Sequence, residues 1–284
     1  MTDATWAASI AEEPVASAPA RRPWIDFRKP VSTRASVGLA VAAWTAFLLA
    51  WQLAATSGLA PEKLFPPPTT VLEAGWELFA ERGFAADVWA SIVRIVISFA
   101  LAVAVALPLG MLMGSFPAVE AVANPLVSAF RYLPAPSFLP LLLMWLGTGD
   151  EQKVALLFLG VVWFLVTLVM DDTKSVPMEL IETAKTLGID RFQTLRTVIF
   201  PAALPRYLDT MRQMLAVSWT YLVIAEIVAS TDGIGAMMMR AKRFVRIEDI
   251  MVGIVVIGVL GFAFDVSFRA LRWLCFPYLR RARP

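Results

Sequence analysis

Long apolar runs, separated by short polar or proline-rich stretches, dominate this chain. They predict six membrane-spanning helices, at about 37–59, 88–116, 119–146, 154–170, 208–229 and 250–271, since roughly 20 apolar residues cross a bilayer as a helix. Two of the runs are irregular. Pro108 should bend the second or leave one carbonyl unpaired. Pro125, Pro134, Pro136 and Pro140 interrupt the third. Unpaired backbone cannot face lipid, so this broken stretch should be buried among helices or line a cavity.

The connections have patterns of their own. LFPPPTT at Leu64–Thr70 is too rich in proline for regular helix. Thr69 or Thr70 then caps a short helix from Val71 to Glu81. It places Leu72, Trp76 and Phe79 on one face and Glu73, Glu77 and Glu81 on another, the pattern of a helix lying at the membrane surface. Trp44, Trp51, Trp76 and Trp89 fall near expected boundaries, as interfacial anchors do. Residues 230–249 read as a loop, in which Met237, Met238 and Met239 are either a soft lining or apolar filler. GMLMG at Gly110–Gly114 permits close contact between helices, within the chain or between copies.

Composition agrees with the pattern. The 284 residues are 58% hydrophobic and only 17% charged, against about 25% charged in ordinary soluble domains. There is no histidine and one cysteine, Cys275. That excludes an internal disulfide and a cysteine-clustered metal site, and removes the commonest general base. Basic residues flank apolar spans rather than forming a polar domain, so no nucleic-acid partner is expected.

Charge also orients the spans. Residues 1–36, rich in Ala, Ser and Pro and then in Arg, read as a disordered cytoplasmic tail. Residues 276–284 read as a basic cytoplasmic tail, and 37–275 as the membrane domain. A signal peptide would put its charges first and a short apolar core directly behind them, so the run from Val37 is expected to be retained. Basic residues concentrated at both ends put both termini in the cytoplasm. The segments 60–87, 147–153 and 230–249 then lie outside, and 117–118 and 171–207 inside. Arg240, Lys242, Arg243 and Arg246 run against this rule, tempered by Asp232, Glu248 and Asp249.

The internal segment 171–207 is not linker-like. Met178, Ile181, Lys185 and Gly188 fall at helical spacing, and Gly188 is able to end that helix in a left-handed conformation. Asp190 caps a second turn running through Phe192, Leu195, Val198 and Ile199, which Pro201 stops before Pro205 restarts the chain. Two short helices around a glycine corner result. The basic residues Lys174, Lys185, Arg191, Arg196, Arg206 and Arg212 balance the acids Asp171, Asp172, Glu179, Glu182, Asp190 and Asp209. The mixture suits a protein contact better than an anionic-lipid patch. The alternative is a folded loop that only completes the bundle.

Glu182-Thr183-Ala184, then Gly188, then Val198, Phe200 and Pro201 resemble the EAA loop of binding-protein-dependent ABC importer permeases. LFPPP at Leu64–Pro68, the Arg131–Pro134 and Leu139–Trp145 stretches, PAALP at Pro201–Pro205 and AEIVASTDGIG at Ala225–Gly235 are similar to the branch importing nitrate, bicarbonate, sulfonates and taurine. The resemblance implies an all-α polytopic membrane protein, with the six-span MetI-like permease fold and a coupling-helix loop. It implies ATPase-coupling roles for Glu182, Thr183, Ala184, Gly188 and Pro201. The implied partners are a second copy of the permease, two ATPase subunits, a periplasmic or lipoprotein substrate-binding protein and membrane lipid, in a bacterial inner membrane. No Gly-rich loop followed by Gly-Lys-Ser/Thr occurs. ATP and Mg are therefore expected in the partner ATPase, with no cofactor, metal or catalysis in this chain.

Intramembrane polar residues are functional candidates by default. Arg131, Gln213, Ser218, Trp219 and Glu226 are the candidates for a pathway or gate. Arg131 is otherwise a structural ion pair, Trp219 packing, and Glu226 a partner of the turn at Gly233–Gly235. Arg94, near the start of its span, is expected to snorkel to the surface. An ion-coupled secondary transporter is the alternative function, needing coupled acids at mid-membrane. A membrane-embedded enzyme is a more distant one.

Overall fold

The computed structural model describes residues 31–58, 61 and 64–280, and every regular element among them is helical. Most of the two expected tails, residues 1–30 and 281–284, lies outside the described residues. The chain divides into two units, Met1–Ala54 and Ala55–Pro284. The first holds most of α1 (Thr33–Thr56), which begins four residues before Val37 and leaves its side chains exposed from Thr33 to Ala50.

The second unit opens with α2 (Pro68–Ala80). The expected threonine cap is not used: Pro67 is the N-cap, makes no side-chain capping bond, and Pro68 starts the helix. Proline suits a first turn, because its missing N–H would have been unpaired there anyway. Val71, Ala74 and Leu78 turn inward, while Leu72 and Trp76 stay exposed, the arrangement of a helix whose outer face meets lipid.

Helices α3 (Phe84–Ser115), α6 (Asp150–Lys174) and α9 (Phe200–Ala229) form the centre. The first two run parallel in close contact. A Cβ on Gly110 would lie 2.7 Å from the Val166 carbonyl oxygen, and one on Gly114 would lie 2.5 Å from Thr173 Cβ. The GMLMG pattern is thus used within the chain, letting two backbones approach. α3 also continues through Pro108 as one helix.

α9 runs antiparallel to both. Ala203, Tyr207, Met211, Leu215, Leu222 and Ala225 make its buried stripe at helical spacing. Tyr207 Oη lies 2.6 Å from Thr173 Oγ1, and Thr210 donates to Asp172 at 2.6 Å. Further along, Tyr221 fills the space over Gly160. Against α9 lies α11 (Ile247–Cys275), tied by Arg212–Asp265 and Arg272–Asp209 pairs, each at 2.8 Å.

Between α3 and α6 the chain makes α4 (Pro117–Arg131), a 3₁₀ turn (Ala135–Phe138) and α5 (Leu139–Leu146). This pair bends by 83° at the break, where Pro134 and Pro136 interrupt the helical hydrogen bonds. Among the described residues, α1, α3, α6 and α11 are long and apolar enough to cross a membrane, and the bent α4–α5 pair adds a fifth if it is one span. The six-span expectation reduces to these. α9 has the length, at 30 residues, but carries Arg206, Asp209, Arg212 and Glu226.

The expected loop 230–249 contains a helix, α10 (Ile234–Arg243). Ile234, Met237 and Ala241 are its buried face, and Met238 packs over Gly253. These methionines are interior packing rather than an external lining.

Candidate functional site

At the end of the bundle where α3 and α6 finish, the chain folds into α7 (Met178–Thr186) and α8 (Arg191–Thr194). Gly188 has φ +75°. The Gly188 N–H donates to the Lys185 carbonyl at 3.0 Å and the Ile189 N–H to the Ala184 carbonyl at 3.1 Å. These two bonds are the Schellman closure of a helix, which needs a residue comfortable at positive φ. Asp190 then caps α8, its Oδ1 accepting from Phe192 N at 2.8 Å and Gln193 N at 2.9 Å. The corner is therefore fixed by two consecutive caps, worth about 1 kcal/mol for the Asp alone.

The corner sorts the predicted coupling residues. Ala184 is buried, whereas Glu182 and Thr183 are exposed and Thr183 bonds back to the Glu179 carbonyl. Pro201 departs from expectation. It does not stop a helix: after a π-helical turn at Leu195–Ile199 the chain passes directly into α9, with Pro201 in its first turn. The wide turn accommodates the proline ring and its missing N–H.

At the opposite end, charges gather in the interior. Arg94 is 2% exposed, so it does not snorkel. Because α3 starts at Phe84, Arg94 sits a further turn inside, beside the N-terminus of α6 and the C-terminus of α9. Its Nη1 donates to Glu226 Oε1 at 2.7 Å, and its Nη2 lies 2.7 Å from both Asp150 Oδ1 and Asp232 Oδ1. Lys153, also buried, reaches Asp150 at 3.3 Å.

The same cluster holds the start of α10. Helices leave their first N–H groups unpaired, and three different side chains accept them. Asp87 takes Gly233 N at 2.8 Å, Ser91 takes Ile234 N at 3.0 Å, and Glu226 takes Gly235 N at 2.9 Å. Gly233 has φ +105°, and a Cβ there would lie 2.5 Å from the Glu226 carboxyl. Glu226 meets the turn as its sequence position suggested. Its carboxylate, which also accepts from Ser91 at 2.7 Å, is fully engaged. The cluster locks α3, α6, α9 and α10 together and holds no free acid or base.

The remaining pathway candidates do not converge. Gln213 is exposed, and Ser218 is buried, donating to the Met214 carbonyl at 3.2 Å. Trp219 is buried with its Nε1 unpartnered, beside an open apolar groove shared with Thr220, Ile257 and Gly261. Gln213 and Glu226 are separated by about 20 Å along α9, at 1.5 Å per residue. Arg131 is half-buried at the α4 break, 5.5 Å from the ring of Tyr132. Sequence reasoning missed the importance of Arg94, for which the available signal was an intramembrane charge of opposite sign to Glu226. Among the described residues, no group of three or more His, Cys, Asp or Glu side chains is placed to hold a metal ion.

Residues 106–274 match the family described as "Binding-protein-dependent transport system inner membrane component". The chain is 33% identical over 253 residues to the taurine transport system permease protein TauC of Escherichia coli (strain K12), covering 87% of this chain and 91% of that protein. The nitrate import permease protein NrtB of Synechocystis sp. is 25% identical, covering 87% and 90%. An inward-facing conformation of the MetNI methionine ABC transporter shares the fold, with a TM-score of 0.57, 21% identity and coverage of 66% of this chain and 95% of that chain. A helical membrane chain with a capped loop at one bundle end, matched over this extent, belongs to the binding-protein-dependent transport system inner membrane component family and is the permease subunit of an ABC importer.

Proposed function

We propose that the 178–205 loop seats a separate ATPase subunit, with Glu182, Thr183, Ala184 and Gly188 forming the contact and Pro201 setting the start of α9. The supporting observation is the doubly capped corner, which presents Glu182 and Thr183 on a short helix braced through Ala184 and Ile189. Such an element transmits displacement to α6 and α9 because it cannot swivel freely. The working unit is two permease copies, two ATPase subunits carrying ATP and Mg, and a periplasmic or lipoprotein binding protein. ATP-driven closure moves the corners and opens the pathway outward, and hydrolysis resets it. Each step requires different affinities for the two states.

In this reading the spans are six. The bent α4–α5 pair is the third and α9 the fifth, with both termini, 1–36 and 276–284, in the cytoplasm and 37–275 as the membrane domain. The cargo is a small solute with an anionic group, such as taurine, another sulfonate, nitrate or bicarbonate; the relatives named for taurine, aliphatic sulfonates and nitrate support the first three. Arg131, at the break of a bent span and without a carboxylate within ion-pair distance among the described residues, is the residue best suited to attract it. Gln213, Ser218 and Trp219 stay pathway candidates at separate levels of α9, with the Glu226 cluster as the candidate gate at the far end. An ion-coupled transporter is disfavoured because Glu226, the acid it would use, is committed to Arg94, Ser91 and Gly235.

Glu182→Lys is expected to reduce binding-protein-dependent uptake in proteoliposomes at least about tenfold, a loss of about 1.4 kcal/mol at the contact. The ATPase subunit should fail to co-purify with the variant, while the permease folds normally. Uptake at the wild-type rate, with the ATPase still bound, would remove the loop from the coupling path.

A further inference from the structure

One face of α7, bordered by Glu182, lines a cavity of about 580 Å³ formed with the ends of α3 and α6, the start of α4, and α8 with its π-helical turn. Its volume falls in the range of small-molecule sites, about 300–1,000 Å³. Met113, Ile181, Leu195 and Ile199 supply apolar walls. Met178, Ile181 and Lys185, spaced as one helical face, all line it, whereas Glu179 and Glu182 do not. The even charge balance along the loop is thus sorted in space, with an excess of positive groups on the cavity side.

Those cations differ in their company. Lys174 is paired with Glu120, the one acid in the lining. Lys185 and Arg191 have no carboxylate within ion-pair distance among the described residues. Deeper in, the Ser115 hydroxyl is buried without any hydrogen-bond partner. A buried polar atom left unpaired costs about 1–3 kcal/mol, and the Ser115 hydroxyl is therefore free to donate to a ligand oxygen in this cavity. The site also lies where α3 and α6 end, at Ser115 and Lys174, the level at which apolar helices leave the bilayer core. A basic pocket between membrane helices at headgroup depth suits an anionic lipid.

We propose that this cavity binds the phosphate headgroup of an anionic phospholipid. Lys185 and Arg191 are its counter-charges, Ser115 donates to a headgroup oxygen, and the apolar walls take the first part of an acyl chain. The lipid fills the space behind α7 and braces the corner from the membrane side. Its placement in the cytoplasmic leaflet, and its influence on coupling, rest on the proposed ATPase contact. Its binding does not.

The test uses the permease purified with its ATPase subunit from nanodiscs of phosphatidylcholine mixed with phosphatidylglycerol, with retained lipid read by native mass spectrometry after detergent exchange. Wild type should retain phosphatidylglycerol, and Lys185→Gln/Arg191→Gln should retain roughly tenfold less or lower. Ile181→Trp, which fills the cavity and keeps both charges, should also lose it. Arg196→Gln, an exposed basic residue of the same loop outside the cavity, should not. Equal retention by wild type and the double variant would overturn the proposal. So would protection of wild type by inorganic phosphate alone with no phosphatidylglycerol retained. If the ATPase co-purifies while no lipid is held, the lipid site fails and the docking loop stands; if lipid is held but no ATPase co-purifies, the reverse is true.

Discussion

Gly110→Leu is expected to leave almost no folded permease. A Cβ at this position already comes within 2.7 Å of the Val166 carbonyl oxygen and 2.8 Å of Val169 Cβ. The nearest obstacle is backbone, which cannot rotate away as a side chain would. The two helices must separate, and their separation would also disturb the fit of Gly114 against Met170 and Thr173 one turn on. Overpacking usually costs about 1–3 kcal/mol, and a clash with backbone along the most extensive helix contact should exceed that range. With total stabilities of about 5–15 kcal/mol, the expected readout is loss of monodisperse protein and a fall in apparent melting temperature. Gly75→Ala is the control. Its Cβ would meet only Val252 at 3.7 Å, an ordinary contact, and stability should change by no more than about 0.5 kcal/mol.

Arg94→Leu should be the next most damaging change, by about 3–5 kcal/mol, the usual effect of leaving a buried charge without its partner. The stranded group is Glu226, whose side chain is 0% exposed, whereas Asp150 and Asp232 are 66% and 52% exposed and can turn to water. Glu226 also accepts from Gly235 N, so the start of α10 should loosen along with it. The variant is expected to show a markedly lower melting temperature and faster proteolysis around 230–246. Arg94→Leu/Glu226→Gln should recover a large part of the loss, because a neutral amide needs no counter-charge and still accepts from Gly235. If the double variant is no more stable than Arg94→Leu, the cluster is not held by charge pairing as the geometry implies.

The parts of this fold readable from sequence are those governed by local rules. Lipid requires long apolar helices, so α1, α3, α6 and α11 are visible as runs, although each starts three or four residues before its run and α6 and α11 also end four residues after theirs. Gly188 and Asp190 act within a few residues of themselves, and the corner they make matches its expected form. Proline was harder to read. Pro68 and Pro201 lie in first turns, where a missing N–H matters little, rather than outside the helices they begin. α10 was hidden because Arg240, Lys242 and Arg243 give its sequence a loop-like polarity, even though Ile234, Met237 and Ala241 have helical spacing.

The long-range features were not accessible in the same way. Nothing in the local pattern pairs Arg94 with Glu226, 132 positions away. GMLMG announces a close contact but not its partner, and only the three-dimensional packing chooses α6. The cavity behind α7 is a further case. The charges of the loop balance in one dimension, and the gathering of Lys174, Lys185 and Arg191 around a cavity with one acid depends on how the corner docks onto the membrane helices.

In the proposed assembly the ATPase meets this chain at the α7 corner. The most direct measurement places a single cysteine in a Cys275→Ser background, at Glu182 or at Asp232, which lie at opposite ends of the bundle. Each is labelled with a thiol-reactive photo-crosslinker in the assembled transporter. An ATPase adduct from Glu182→Cys, with none from Asp232→Cys, is the predicted result. An adduct from the Asp232 position, or none from Glu182 in an intact complex, would contradict it.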